Sequence, residues 1–268
     1  MQGEETWPLA AVGRASFEGK TAVVTGASQG IGETAAIGLA RLGVNVICAA
    51  RRTDVLEQVV SAIRAEGGEA TAVTTDVAVE DDVARMVEVA EATYGGLDLA
   101  FNNAGIASAG RIADVDVEEF DAVIGVNLRG AFFCMKHEVR AMLVRGAGAI
   151  VNVGSVAAHM GRPGRPIYAA SKWGLVGMSK SVALEYGADG IRVNVVSPGP
   201  TWTPLFGETH PDLEAVLRAN PLHRAGSAEE QAGAAIWLLS DAAAFVTGAV
   251  INVDAGITAG LVEPDRGQ

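Results

Sequence analysis

The chain has 268 residues, 49% of them hydrophobic and 19% charged, with a formal net charge of -12. That is enough apolar material for a sizeable core and too little charge for long disordered regions. The acidic balance argues against nucleic acid or an anionic membrane as the main partner, because both require a positive surface.

The first 18 residues carry Glu4 and Glu5 and lack a basic start followed by an apolar stretch. They read as a loose arm before a single domain over 19–268, not as a secretory signal. No apolar run reaches the roughly 18 residues of a membrane helix, so no membrane partner and a cytoplasmic protein are expected. Cys48 and Cys134 sit in apolar or helical patterns and read as buried, reduced thiols. No zinc-type cluster is present, so no metal is expected.

Thr21 to Thr25 is a β-rich run that ends in a glycine loop, and Gly30 to Leu42 is a helix stopped by Gly43. Val44 to Ala49 is the next strand, Asp54 to Ala65 a helix, Ala70 to Thr74 a strand, and Glu80 to Thr93 a helix. Leu97 to Phe101 is a strand, followed by a long helical stretch from Glu118 to Val144 with a break near its start. Then come a strand at Ala149 to Val153, a helix at Ile167 to Tyr186, and a strand at Arg192 to Val196. Ala228 to Leu239 is a helix and Ala249 to Val253 the last strand. Short apolar runs separated by helices predict an α/β fold, a doubly wound parallel sheet with helices on both faces. The irregular, proline-rich segment 198–227 follows a strand's carboxyl end and is expected to form a lid over the ligand crevice.

Thr25-Gly26-Ala27-Ser28-Gln29-Gly30-Ile31-Gly32 joins the first strand to the first helix. Small residues let the backbone turn tightly and approach a pyrophosphate, and a helix start offers N–H groups and a positive dipole end. A plain turn with glycines for packing fits the same residues. At the end of the second strand, an acidic side chain would bond the ribose 2′-hydroxyl of NAD. Here the sequence is Ala50-Arg51-Arg52. Arginine matches phosphate bidentately, which favours NADP(H) over NAD(H). Two solvated loop arginines are the plainer alternative.

Tyr168 has Lys172 four residues on, which puts both on one helix face. An ammonium beside a phenol favours the phenolate and suits the pair to proton transfer. An ordinary amphipathic helix can carry the same spacing. Ser155, just past a strand, can hydrogen-bond a substrate oxygen where charge develops, or serve as a turn residue or helix cap.

Together these residues resemble the short-chain dehydrogenase/reductase family, from about Phe17 to Gly256. The glycine loop matches the family's Thr-Gly-x-x-x-Gly-x-Gly, Asn102-Asn103-Ala104-Gly105 its Asn-Asn-Ala-Gly, and Pro198-Gly199 its Pro-Gly after the sixth strand. Ser155, Tyr168 and Lys172 match its catalytic serine and Tyr-x-x-x-Lys pair, and Asn127 its catalytic asparagine. The resemblance implies a single-domain Rossmann fold with a seven-stranded sheet, usually as a homotetramer or homodimer. It makes Tyr168 the general acid in reduction and the base in oxidation. Lys172 would lower the tyrosine pKa, Ser155 would hold the substrate oxygen, and Asn127 would hold a water in a relay to Lys172.

For the cofactor it implies contacts from Gly26, Ser28, Gln29, Gly30, Ile31 and Gly32 in the loop, with Arg51 and Arg52 at the 2′-phosphate. Asp76 and Val77 would frame the adenine, and Asn103, Ala104 and Gly105 would line the adenosine side. Tyr168, Lys172, Pro198, Gly199, Thr201 and Thr203 would surround the nicotinamide. Gln29 departs from NADP enzymes that carry a second basic residue there. The expected activity is NADP(H)-dependent hydride transfer with a small carbonyl or secondary alcohol. The alternatives are an NAD-linked dehydrogenase of a sugar or steroid, and a cofactor-binding sensor without turnover. The substrate site is expected from Ala107 to Arg111, His159 to Arg165 and Trp202 to Leu222, with His159, Arg162, Arg165 and Trp202 either meeting an anion or a ring or serving as ordinary loop residues, the reading slightly favoured. The helices around Ala131 to Met142 and Leu175 to Leu184 are apolar enough to support association.

Overall fold

A computed structural model describes residues 13–209, 217–218 and 220–260. The strands are β1 (Thr21–Thr25), β2 (Asn45–Ala50), β3 (Glu69–Thr74), β4 (Leu99–Asn102), β5 (Gly148–Val153), β6 (Ile191–Pro198) and β7 (Val250–Val253). They form one sheet in the order β3-β2-β1-β4-β5-β6-β7, with every neighbouring pair parallel. The helices are α1 (Gly30–Arg41), α2 (Thr53–Ala65), α3 (Glu80–Tyr94), α4 (Val117–Ile124), α5 (Ala131–Arg145), α6 (Pro166–Tyr186), α7 (Pro204–Thr209) and α8 (Ala228–Leu239).

Successive strand residues point to opposite faces, and the two cores divide accordingly. Val24 and Val46 face Leu39, Leu56, Ile63 and Leu238 from α1, α2 and α8. Val23 and Ile47 face Met86, Met135, Met142 and Ala183 from α3, α5 and α6. Strands buried on both sides must be apolar throughout, which is why all five residues of β1 are buried. Phe17, inside the arm expected to precede the domain, is fully buried in the first of these cores. The folded unit therefore starts before residue 19. Residues 1–12 of the arm, and residues 210–216 and 219 of the expected lid, lie outside the described residues.

The long helix expected over Glu118 to Val144 is broken, as anticipated, and the break has a form. A π-helical turn at Gly125–Gly130 separates α4 from α5. Such turns are wider than an α-turn and gather at functional sites; this one carries Asn127. A Cβ on Gly130 would sit 2.9 Å from the Val77 side chain, so the glycine lets the turn close against the loop after β3. The expected lid is stapled at its two ends. The Trp202 N–H donates to Gly226 O at 2.9 Å, and the Gly226 N–H to Pro200 O at 2.8 Å.

The strand order reverses between β1 and β4, and in open α/β sheets the crevice at such a switch point takes the ligand. The site is built there, at the carboxyl ends of β1, β4, β5 and β6.

Candidate active site

The glycine loop folds as its spacing requires. Gly26 and Gly30 take the left-handed φ values 66 and 59 that side chains rarely adopt. A Cβ on Gly32 would overlap the Gly26 carbonyl oxygen, and one on Gly26 would lie 2.7 Å from Asn103 Nδ2. The loop is tied to β4 from above. Asn103 Nδ2 donates to Thr25 O at 3.1 Å, while Thr25 Oγ1 accepts the Asn103 and Ala104 N–H groups at 3.0 and 3.1 Å. Gln29 precedes α1 without capping it by a side chain.

A cleft of about 360 Å³ opens over this loop. Gly26, Ser28, Gln29, Gly30, Ile31, Arg51, Arg52, Asp76, Val77, Asn103, Ala104, Gly105 and Thr203 line it. Gly32 lies behind the wall and serves by having no side chain. A glycine cradle closed by backbone, under an uncapped helix start, fits a dinucleotide pyrophosphate.

Arg52 and Arg51 stand at one end of the cleft and behave differently. The Arg52 guanidinium donates to Gln29 Oε1 and to Ser28 Oγ. Gln29, the departure from the basic pattern, thus tethers Arg52 across the cleft mouth. Arg51 is exposed, with no polar partner among the described residues. Asp76 does not reach the tip of β2; its carboxylate accepts the Ala78 N–H at 2.9 Å and shapes its own turn.

A second cleft, of about 160 Å³, continues from the first and shares Ile31, Asn103, Gly105, Thr203 and Leu205 with it. Ser155, Tyr168, Lys172, Pro198, Gly199 and Thr201 line it. Ser155 fills the cap role its position allowed. It caps the short 3₁₀ turn Val156–Ala158, accepting the Ala157 N–H at 3.1 Å, and its hydroxyl lies near enough to the Tyr168 phenol to lower the phenol's pKa. Gly199 closes on the Asp254 backbone, 2.6 Å from where a Cβ would stand, and Thr201 Oγ1 donates to Gly199 O at 3.0 Å.

Burial pushes the Tyr168 phenol above its ordinary pKa, against smaller lowering from the Ser155 hydroxyl and from Arg165. Lys172 approaches the same ring. The ammonium lies 5.8 Å from the tyrosine ring centroid and donates to Val153 O at 2.7 Å. Burial lowers the Lys172 pKa to about 8. Desolvation acts against charge on both groups, so it raises the acid and lowers the base.

Asn127 is buried, and its side chain is largely committed. Its amide donates to Ile106 O at 2.9 Å and Ser171 Oγ at 3.1 Å, and its oxygen accepts the Ile106 N–H at 2.8 Å. It joins the loop after β4 to the π-turn and α6. Next to it a void of about 10 Å³ is bordered by Thr25, Asn102, Asn127 and Lys172, close to the room one water needs.

Other residues were not anticipated. Glu138 on α5 is fully buried, and burial raises its carboxyl pKa to about 8. It accepts from Asn102 Nδ2 at 2.9 Å, and Asn102 also donates to Asn152 Oδ1 at 3.0 Å. The signal was present, since Glu138 is flanked on its helix by Met135, Val139 and Met142. Phe206 lines the catalytic cleft with Leu205, and Trp202 packs edge-on against Phe206 at 5.7 Å. His159 turns away from the cleft and hydrogen-bonds Ser197 Oγ at 3.0 Å. Its expected role toward the substrate is replaced by one under β6.

A family model described as enoyl-(acyl carrier protein) reductase matches residues 26–258. The 2,5-dichloro-2,5-cyclohexadiene-1,4-diol dehydrogenase of Sphingobium indicum is 42% identical over 91% of this chain and 98% of its own length. The cis-4-hydroxycyclohexanecarboxylate dehydrogenase of Sinomonas cyclohexanicum is 41% identical, with 91% and 98% covered. A solved structure from Beutenbergia cavernae, described as an NAD(P)-dependent gluconate 5-dehydrogenase with NADP bound at low occupancy, is 35% identical. It superposes with a TM-score of 0.88 over 92% of this chain and 100% of that one.

Proposed function

The chain belongs to the short-chain dehydrogenase/reductase family and is an oxidoreductase of alcohols and carbonyls, and we propose that it works with NADP(H) on a small cyclic secondary alcohol or its ketone. One observation carries this reading: Ser155, Tyr168 and Lys172 line a cleft that runs directly into the glycine-loop cleft.

A bound nicotinamide supplies the hydride or takes it up. Tyr168 gives a proton to the substrate oxygen in reduction and removes it in oxidation. The Ser155 hydroxyl, which lies beside the phenol, holds that oxygen as charge develops on it. A raised phenol pKa suits proton donation; in oxidation, the positive charge of an oxidised nicotinamide and the ammonium of Lys172 favour the phenolate. The void beside Asn127 and Lys172 supports a one-water relay for the proton.

Arg52, tethered by Gln29 and Ser28, and the unengaged Arg51 support a 2′-phosphate and so NADP(H). The substrate cleft is below the range typical of drug-sized ligands, which favours a single ring, and both relatives are named for six-membered rings. Phe132, Leu143 and Val144 on α5 and Trp173 and Leu184 on α6 are exposed, which supports a homotetramer or homodimer. The unpaired buried thiols of Cys48 and Cys134 support a cytoplasmic setting.

The test is to follow reduced-nicotinamide absorbance with cyclohexanol and cyclohexanone against both cofactors. Turnover with kcat/KM higher for NADPH than NADH is expected. Turnover with NADH alone would overturn the cofactor assignment.

A further inference from the structure

The loop between the 3₁₀ turn and α6 brings two arginines into the catalytic cleft. Arg162 and Arg165 line it together with Ser155, Tyr168 and Lys172. Their situations differ. Arg165, at the N-cap of α6, donates from Nη1 to Ser108 O at 3.0 Å and is anchored to the opposite wall. Arg162 has no hydrogen-bond or ion-pair partner among the described residues. It is only partly exposed, and burial and the neighbouring Arg165 both hold its pKa below the ordinary arginine value.

A guanidinium that has lost part of its water and faces a second cation is unfavourable until something negative completes it. No described residue of the cleft lining is an Asp or a Glu, although the chain as a whole carries a formal charge of -12. Among the described residues the acids lie elsewhere, and the described lining of the cleft carries a local positive field. The carboxylate-matching fork of Arg162 has no partner among the described residues.

We propose that Arg162 anchors a negatively charged substituent of the substrate, so that the preferred substrates are small secondary alcohols or ketones that also carry a carboxylate. This rests on the oxidoreductase reading above and names the substrate class of that same site. The carboxylate end sits at Arg162, with Arg165 and the positive end of the α6 dipole adding to the field. The carbinol end is thereby directed to Ser155 and Tyr168. Arg162 fixes which carbon is presented for hydride transfer, and its effect falls on KM more than on kcat.

The test uses a matched pair, 4-oxocyclohexanecarboxylate and 4-methylcyclohexanone, with NADPH and with NADH. The native enzyme is expected to favour the acid in kcat/KM by roughly 30-fold. Arg162→Gln is expected to lower that acid-to-neutral ratio by roughly 30-fold, mainly through KM, and Arg162→Lys to restore only part of it. A native preference for the neutral ketone, or an unchanged ratio in Arg162→Gln, would overturn the proposal.

A binding measurement separates this inference from the reading beneath it. Cyclohexanecarboxylate, which has no carbinol to oxidise, is titrated calorimetrically into the NADP-loaded enzyme, with cyclohexanecarboxamide as the neutral control. Acid binding that weakens in Arg162→Gln supports the anion site even where neither ketone is turned over, an outcome that counts against the activity alone. Equal binding of acid and amide overturns the anion site. Displacement of the acid by inorganic phosphate at lower concentration overturns the choice of a carboxylate.

Discussion

The two clefts share a wall and are made of different material. The glycine-loop cleft is mostly backbone: left-handed Gly26 and Gly30, the close approach at Gly32, and N–H groups held by Thr25. Arg51 and Arg52 stand exposed at its rim, and the carboxylate of Asp76 accepts the Ala78 N–H of its own turn. The catalytic cleft is made of buried side chains whose protonation is set by lost water, with Tyr168 pushed up and Lys172 lowered to about 8. Holding a ligand of fixed shape needs backbone geometry, whereas moving a proton needs groups whose charge is finely balanced. The comparison predicts that damage to the glycine-loop cleft shows in cofactor binding, and loss of a proton-moving group from the catalytic cleft in turnover.

The largest expected effect on the binding side is that of Gly32→Ala. The new methyl overlaps the Gly26 carbonyl oxygen, and overpacking of this kind should weaken NADPH binding by roughly 100-fold. A fluorescence titration of NADPH checks it; an affinity within a few-fold of native would mean the loop can relax. A smaller effect is expected from Arg52→Ser. Loss of a charge-assisted contact should reduce the preference for NADPH over NADH by roughly 10-fold in kcat/KM. If the preference survives, Arg51 alone reads the phosphate.

Glu138→Gln should show least in turnover and most in stability. The folded-state pKa of Glu138, about 8, lies above its unfolded value. Its favourable contribution is therefore full below the unfolded carboxylate pKa and is lost as pH rises through about 8. The loss is on the order of a few kcal/mol. Urea unfolding from pH 5 to 9 should show a steeper decline in the native protein than in Glu138→Gln; parallel curves would show that Glu138 is charged or better solvated than its burial indicates.

What was legible in the sequence follows the same division. Backbone requirements leave glycines at fixed spacing, so Thr25 to Gly32 could be read directly, whereas Asn103 was legible only through the family resemblance. The strands could be read because burial on both faces forces continuous apolar runs. The strand β2, expected to end at Ala49, extends only to Ala50. What could not be read depends on distant residues meeting. The direction of the Tyr168 shift is decided by how much water the folded cleft excludes, which no local spacing records. The tether from Gln29 to Arg52 spans two loops. His159 and Arg162 lie three residues apart in one loop and face different surroundings, Ser197 and the cleft.

The most direct test of the account is to measure NADPH affinity and kcat in the same Tyr168→Phe variant. The phenol oxygen belongs to the catalytic cleft, so kcat should fall by roughly 1000-fold while NADPH affinity stays within a few-fold of native. Turnover near the native rate, or affinity and kcat falling together, would contradict the division of labour between the two clefts and the assignment of Tyr168 as the group that moves the proton.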